Sequence, residues 1–229
     1  MKISNTKLAI GIPLTFPFVP SGFFYSFAYM DRPDYIMIHE DNGPIDALRN
    51  NIVERALKDN CSHLIMMDTD MEYHKDTITR LLSHRLPIVG TLCYRRYPPF
   101  DPLLLKGSPV DGYESIDKWE EGELVEVDAT GTGCLLFRTD VFKKMPSPWF
   151  KFRPNPNDKI GGVIGEDIGF CWDLKKAGYK IHVDTTIPAN HLTTLAINDS
   201  TYRLYKAMKM KRREDAAKAA LSSGDEVTN

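Results

Sequence analysis

The stretch His63-Leu64-Ile65-Met66-Met67-Asp68-Thr69-Asp70 decides how this chain reads. The apolar run Leu64 to Met67 has the texture of a strand buried on both faces, as strands of parallel sheets are. Two carboxylates one residue apart point to the same side of an extended chain. Asp68 and Asp70 are therefore expected to converge just past the strand's end, where α/β sheets bind their ligands. Paired carboxylates at such a place suit a hard divalent cation that is also held by substrate phosphates. The tripeptide alone also fits a helix start, with Asp70 as cap and Met71-Glu72-Tyr73-His74 as first turn, so the rest of the chain must decide.

Working outward, strands and helices alternate. A short buried strand, Lys7 to Ile12, stops at Pro13, and Pro20 suits the start of a helix through Ala28. Tyr35 to His39 reads as a second strand, followed by the turn Glu40-Asp41-Asn42-Gly43. Pro44 opens a helix in which Ile45, Leu48, Ile52 and Ala56 recur at helical spacing, with Arg49, Asn50, Glu54 and Lys58 on the opposite face. After the Asp68 strand come a helix through Leu82 and a strand from Ile88 to Cys93. This alternation predicts a mixed, mainly parallel sheet covered by helices.

Beyond Tyr94 the prolines at 98, 99, 102 and 109 exclude long helices. Val110 to Val127 reads as a loop and hairpin turning at Glu120-Glu121-Gly122, and Cys134 to Phe137 as a strand. Pro146 to Gly162 is a long loop rich in Pro, Asn and Gly, a kind often functional. Glu166 to Ala177 reads as a short helix closed by Gly178, and Tyr179 to Val183 as the last strand. From Leu195 the chain is helical, then polar and frayed beyond Leu221. The expected organisation is a single α/β domain over 1–194 with a helical extension over 195–229.

A chain of 229 residues, 42% apolar and 26% charged, can bury a core of ordinary size. A net charge of -2 gives no bulk attraction to nucleic acid or membrane. Cys61, Cys93, Cys134 and Cys171 include no close pair, so neither a zinc site nor a redox motif is indicated, and a reducing, cytoplasmic setting fits. The prolines and Gly22 that interrupt the apolar N-terminal stretch argue against a signal peptide. No transmembrane segment is expected.

Four features fall in order: the first strand Leu8-Ala9-Ile10-Gly11-Ile12-Pro13, Asp68-Thr69-Asp70, Gly165-Glu166-Asp167, and His191 after a strand. This order resembles the GT-A fold glycosyltransferases, specifically the small single-domain enzymes similar to glycosyltransferase family 2. The stretches Arg49 to Leu57 and Asp128 to Leu136 also look like that family. The resemblance covers Lys7 to Thr194 and implies an α/β/α sandwich. It implies an enzyme that transfers sugar from a nucleoside-diphosphate sugar to a hydroxyl, with metal help and inversion of the anomeric centre.

By the same resemblance, Asp70 would bind Mn²⁺ or Mg²⁺, Asp68 the donor ribose, the metal or both, and His191 the metal. An imidazole ligand leans the choice toward Mn²⁺, whereas a lone His without that context reads as a surface or capping residue. Asp167 would be the general base that takes the acceptor's proton, with Glu166 orienting the acceptor; both acids also suit a plain helix start. Arg49 would reach the diphosphate or base, and Glu40 or Asp41 would accept hydrogen bonds from the base.

Arg95 and Arg96 are placed either for phosphate or for solvent. Trp149 and Phe150 offer a sugar platform or a core edge, and His182 is expected to be packed. Lys206, Lys209, Lys211, Arg212 and Arg213 form either a solvated helix face or an anion-binding one. The acceptor expected is a glycan, a lipid-linked glycan or a modified nucleobase in DNA. Two other classes remain: a nucleotidyltransferase, for which Pro13-Leu14-Thr15-Phe16-Pro17 lacks the Gly-rich basic phosphate loop, and a non-catalytic nucleotide- or carbohydrate-binding module.

Overall fold

A computed structural model describes residues 6–120, 122–156 and 162–224, with side chains through residue 215. Thirteen strands and six helices occur among them in the order β1 (Leu8–Pro13), α1 (Ser21–Ala28), β2 (Tyr35–Glu40), α2 (Ile45–Lys58), β3 (His63–Met67), β4 (Met71–Glu72), α3 (Thr77–Ser83) and β5 (Ile88–Leu92). They continue with β6 (Leu105–Ser108), β7 (Gly112–Ser115), β8 (Leu124–Val127), β9 (Cys134–Arg138), α4 (Asp140–Lys144), β10 (Arg153–Pro154) and β11 (Val163–Ile164). The chain closes with α5 (Glu166–Lys176), β12 (Ile181–Pro188), β13 (Asn190–His191) and α6 (Asp199–Gly224). Two compact units result, Met1–Leu192 and Thr193–Asn229.

The main sheet has seven strands in the order β2-β1-β3-β9-β5-β12-β8. β1 is parallel to β2 and β3, and β5 to β12, while β9 and β8 run antiparallel to their neighbours. Every residue of β1 and β5 is buried, as strands covered on both faces must be. Side chains alternate between two cores. Ala9, Leu64, Met66, Leu135 and Phe137 meet Ile52 and Val53 of α2, Phe142 of α4 and Phe170 of α5. Leu8, Ile10, Ile65, Met67 and Leu136 meet Phe23 of α1 and Ile78 and Leu81 of α3. The result is the expected α/β/α sandwich around a mixed, mainly parallel sheet.

Several local expectations are overturned. Met71-Glu72 is not the first turn of a helix capped by Asp70; it is β4, paired antiparallel with β13, and α3 begins only at Thr77. The hairpin turns between Ser108 and Gly112, where Gly112 adopts φ +93°. β8 leaves it to join the main sheet beside β12; Glu121, at the expected turn, lies outside the described residues. The last strand runs on to Pro188 through an irregularity after Asp184. Part of the long loop forms the β10–β11 pair, and its residues 157–161 lie outside the described residues. At the end of α5 Gly178 does close the helix, at φ +82°, with Tyr179 N donating to Leu174 O at 3.0 Å.

Arg49 is the correction with the largest consequence. Expected on the polar face of α2, it is 4% exposed and shares the helix's buried stripe with Leu48, Ile52 and Val53. Its neighbour Asn50 also turns inward, accepting from Trp149 N at 2.9 Å and Phe150 N at 3.1 Å. Trp149 and Phe150 are core, not a sugar platform. They are 6% and 0% exposed, among Phe142 and Phe170. All four cysteines are free and buried. No helix among the described residues is long and apolar enough to cross a membrane.

Candidate active site

The carboxyl ends of β1 and β3 open onto a cavity of about 230 Å³ lined by Pro13, Thr15, Phe16, Ile45, Arg49, Asp68, Thr69, Asp70 and Arg96. Asp68 and Asp70 both border it, though not as a pair on an extended strand. The strand ends at Met67 and the chain turns at Thr69-Asp70, so the two carboxylates take different partners.

Asp68 belongs to Arg49. One guanidinium nitrogen lies 3.0 Å from each Asp68 carboxylate oxygen, and the other bonds Glu166 Oε1. Burial lowers the Arg49 pKa, but Asp68, Glu166 and Asp167 outweigh it and hold the cation above its ordinary value. The sequence distances are 19 residues to Asp68 and 117 to Glu166, so this centre exists only in the fold. The Asp68 backbone is fixed as well. Its N–H donates to Gly133 O at 3.0 Å, and the Tyr73 hydroxyl reaches both Asp68 O at 2.6 Å and Gly133 O at 2.7 Å. Tyr73 carries no sequence signal beyond being an aromatic residue near the motif.

Asp167 sits in the first turn of α5. Its Oδ1 accepts from Ile168 N at 2.7 Å, and a Cβ on Gly165 would lie 2.8 Å from that oxygen. Gly165 is therefore needed for the carboxylate to take this place. Burial raises the Asp167 pKa, with Arg49 pulling it back and Asp68 adding to the rise. Burial likewise raises Glu166, against Arg49. Glu166, expected to orient an acceptor, is 7% exposed and engaged by Arg49.

Asp70 faces the other way. The β4–β13 pairing sets His191 opposite Met71, and Leu192 N donates to Asp70 O at 2.7 Å. His191 Nε2 comes within 3.3 Å of Asp70 Oδ2. His191 Nδ1 lies 2.8 Å from Tyr94 O, and since a carbonyl can only accept, Nδ1 carries the hydrogen. Arg96 Nε donates to His191 Nε2 at 3.3 Å, and Arg96 Nη2 donates to Asp70 Oδ2. Nε2 thus presents a lone pair toward Asp70, and the guanidinium joins two acceptors that would otherwise repel. Among the described residues no group of three or more His, Cys, Asp or Glu side chains is arranged to hold a metal ion. Asp70 and His191 meet as a pair, without Asp68.

Glu40 and Asp41 lie at the end of β2. Glu40 pairs with Arg55 at 3.4 Å, whereas Asp41 borders a second cavity of about 480 Å³. That cavity is lined also by Leu14 to Val19 and shares Thr15 and Phe16 with the first. Arg95 lies apart, lining a cavity of about 270 Å³ with Gly165 and Ile168, the residues flanking the two acids of α5. His182 lies within β12, half-buried, its pKa lowered by burial.

No protein-family model matches the chain, and no match is found among curated proteins. Among solved structures it is similar to A197 from STIV, at 15% identity and TM-score 0.55 over 82% of this chain and 87% of that one. It is also similar to GalNAc-T7, solved with UDP, GalNAc and Mn²⁺, at 10% identity and TM-score 0.52 over 83% of this chain and 44% of that one. At these identities the likeness is one of fold, and the chain has the GT-A fold of glycosyltransferases.

Proposed function

We propose that this chain is a metal-dependent glycosyltransferase, moving a sugar from a nucleoside-diphosphate sugar to a hydroxyl acceptor with inversion. The observation that carries the reading is the grouping of Asp68, Glu166 and Asp167 around Arg49, beside Asp70 and His191, on a GT-A sheet. In this reading the 230 Å³ cavity receives the diphosphate, and the adjoining 480 Å³ cavity, with Asp41, receives the nucleoside. The GalNAc-T7 structure of like fold holds UDP, GalNAc and Mn²⁺.

Asp70 and His191 are spaced as two ligands of one divalent ion would be. Two ligands about 2.0–2.2 Å from one ion stand about 3.0–3.5 Å apart when they are neighbours in its shell. Asp70 Oδ2 and His191 Nε2 are 3.3 Å apart, and the Tyr94 carbonyl, accepting from Nδ1, fixes the imidazole tautomer with Nε2 free to ligate. An ion there, completed by donor phosphates, would supply Lewis-acid stabilisation of the leaving diphosphate oxygen, and the imidazole favours Mn²⁺ over Mg²⁺.

The protein's own groups do the rest. Asp167 takes the acceptor hydroxyl's proton as that oxygen bonds to the anomeric carbon, and the bond from this carbon to the phosphate oxygen breaks on the opposite face. Its raised pKa makes it a stronger base than an ordinary aspartate. Arg49 holds Asp68 and Glu166 in place. In this reading the acceptor, whether a glycan, a lipid-linked glycan or a modified nucleobase in DNA, enters from the 270 Å³ cavity that Gly165 and Ile168 line on either side of the two acids. The test is a screen of nucleotide sugars with Mn²⁺ for release of nucleoside diphosphate. One donor should be hydrolysed slowly, and chelator should stop it; no release from any donor would overturn the reading.

A further inference from the structure

Arg96 stands where this site needs a cation. Its guanidinium bonds Asp70 Oδ2 and His191 Nε2 together, the two atoms assigned above to a divalent ion. An arginine and a metal ion cannot both fill the space between atoms 3.3 Å apart. Arg96 is not locked there, because its side chain is 40% exposed, against 5% for Arg49. It also borders the 230 Å³ cavity, where Asp68 is already matched by Arg49. A guanidinium leaving Asp70 therefore has one strong partner to go to in that cavity, a phosphate group, which its planar fork suits.

We infer that Arg96 is a placeholder cation. It holds Asp70 and His191 together while the donor is absent, gives up the position to the divalent ion, and moves onto the donor's diphosphate. This rests on the metal-dependent transferase reading and goes beyond it. The placeholder makes metal and nucleotide bind interdependently. Metal alone must displace Arg96 with nothing to receive it, whereas metal with a diphosphate gives the arginine a new partner. Binding of each then strengthens the other by the same factor. The device also keeps Asp70 and His191 in register before the ion arrives.

The test is Mn²⁺ binding followed by electron paramagnetic resonance of the free ion, with Mn²⁺ alone and with uridine or guanosine diphosphate. Arg96→Gln should bind Mn²⁺ alone roughly tenfold more tightly than wild type, the scale of one partly exposed charged contact. It should also gain less from added nucleotide. Arg96→Lys, which keeps a charge on that side chain, should stay closer to wild type. Equal Mn²⁺ affinity in wild type and Arg96→Gln would overturn the placeholder and leave the transferase reading standing. Tight binding that survives Asp70→Asn in the Arg96→Gln background would also overturn it, since the ion would lie elsewhere. Failure of both proteins to bind Mn²⁺ with either nucleotide would overturn the placeholder and the metal assignment together.

Discussion

Replacing Arg49 by Met should destabilise the protein in a way that depends on pH. Arg49 is the buried cation among Asp68, Glu166 and Asp167. A unit charge pair at about 4 Å is worth about 4 kcal/mol at an effective dielectric of about 20. Asp68 attracts Arg49 most strongly and Glu166 next, but the Asp68 side chain is 26% exposed against 9% for Glu166, so water screens the Asp68 pair more. Removing one partner of a buried pair leaves the other uncompensated, so the loss at pH 7 should be about 3 kcal/mol. For a chain of this size that lowers Tm by roughly 6–12 °C.

The sign with pH follows from the carboxyl groups. Burial already raises Glu166 and Asp167, with Arg49 pulling against it. A group raised in the folded state contributes stability below its unfolded value of about 4, and this is lost as pH rises through the folded value. Without Arg49 the folded values rise further, so the penalty is small near pH 4 and complete by pH 7. Thermal melts of wild type and Arg49→Met across this range measure it. A difference that is the same at both ends, or below about 1 kcal/mol at pH 7, would refute the argument that these carboxylates depend on Arg49.

Asp167→Asn should keep nucleotide binding and lower turnover by about 10²–10⁴-fold, as loss of a general base does; single-turnover transfer to acceptor checks it. The wild-type activity should fall on the acid side above the ordinary aspartate range near pH 4, because burial raises the Asp167 pKa. Gly165→Ala places a Cβ 2.8 Å from Asp167 Oδ1. It should cut turnover up to about 10²-fold with little change in donor affinity, since the base is displaced and the diphosphate side is not. Tyr73→Phe removes the hydroxyl shared by the Asp68 and Gly133 carbonyls and should cost about 1–2 kcal/mol in urea unfolding.

The local elements were largely readable before the fold was known. Uninterrupted apolar runs such as Leu8 to Ile12 and Leu64 to Met67 are strands covered on both faces, and the helical spacing of Leu48, Ile52 and Ala56 marks the core stripe of α2. The acids at Asp68, Asp70 and Asp167 stand out because carboxylates at strand and helix ends are cheap to notice. Arg49 is legible only in the fold, because an arginine inside a helix reads as solvated unless its partners are known.

Those partners decide the site, and they are far off in sequence. Glu166 reaches Arg49 across 117 residues, and His191 reaches Asp70 across 121 only because Met71-Glu72 forms a strand with Asn190-His191. Arg96 gave no sign of which anion it would meet. Period and composition determine where the main strands and helices form and which apolar residues share a face, since both depend on neighbours a few positions away. Which charge faces which depends on how those elements pack, and so only the tertiary structure assigned Arg49 to Asp68 and Arg96 to the Asp70–His191 pair.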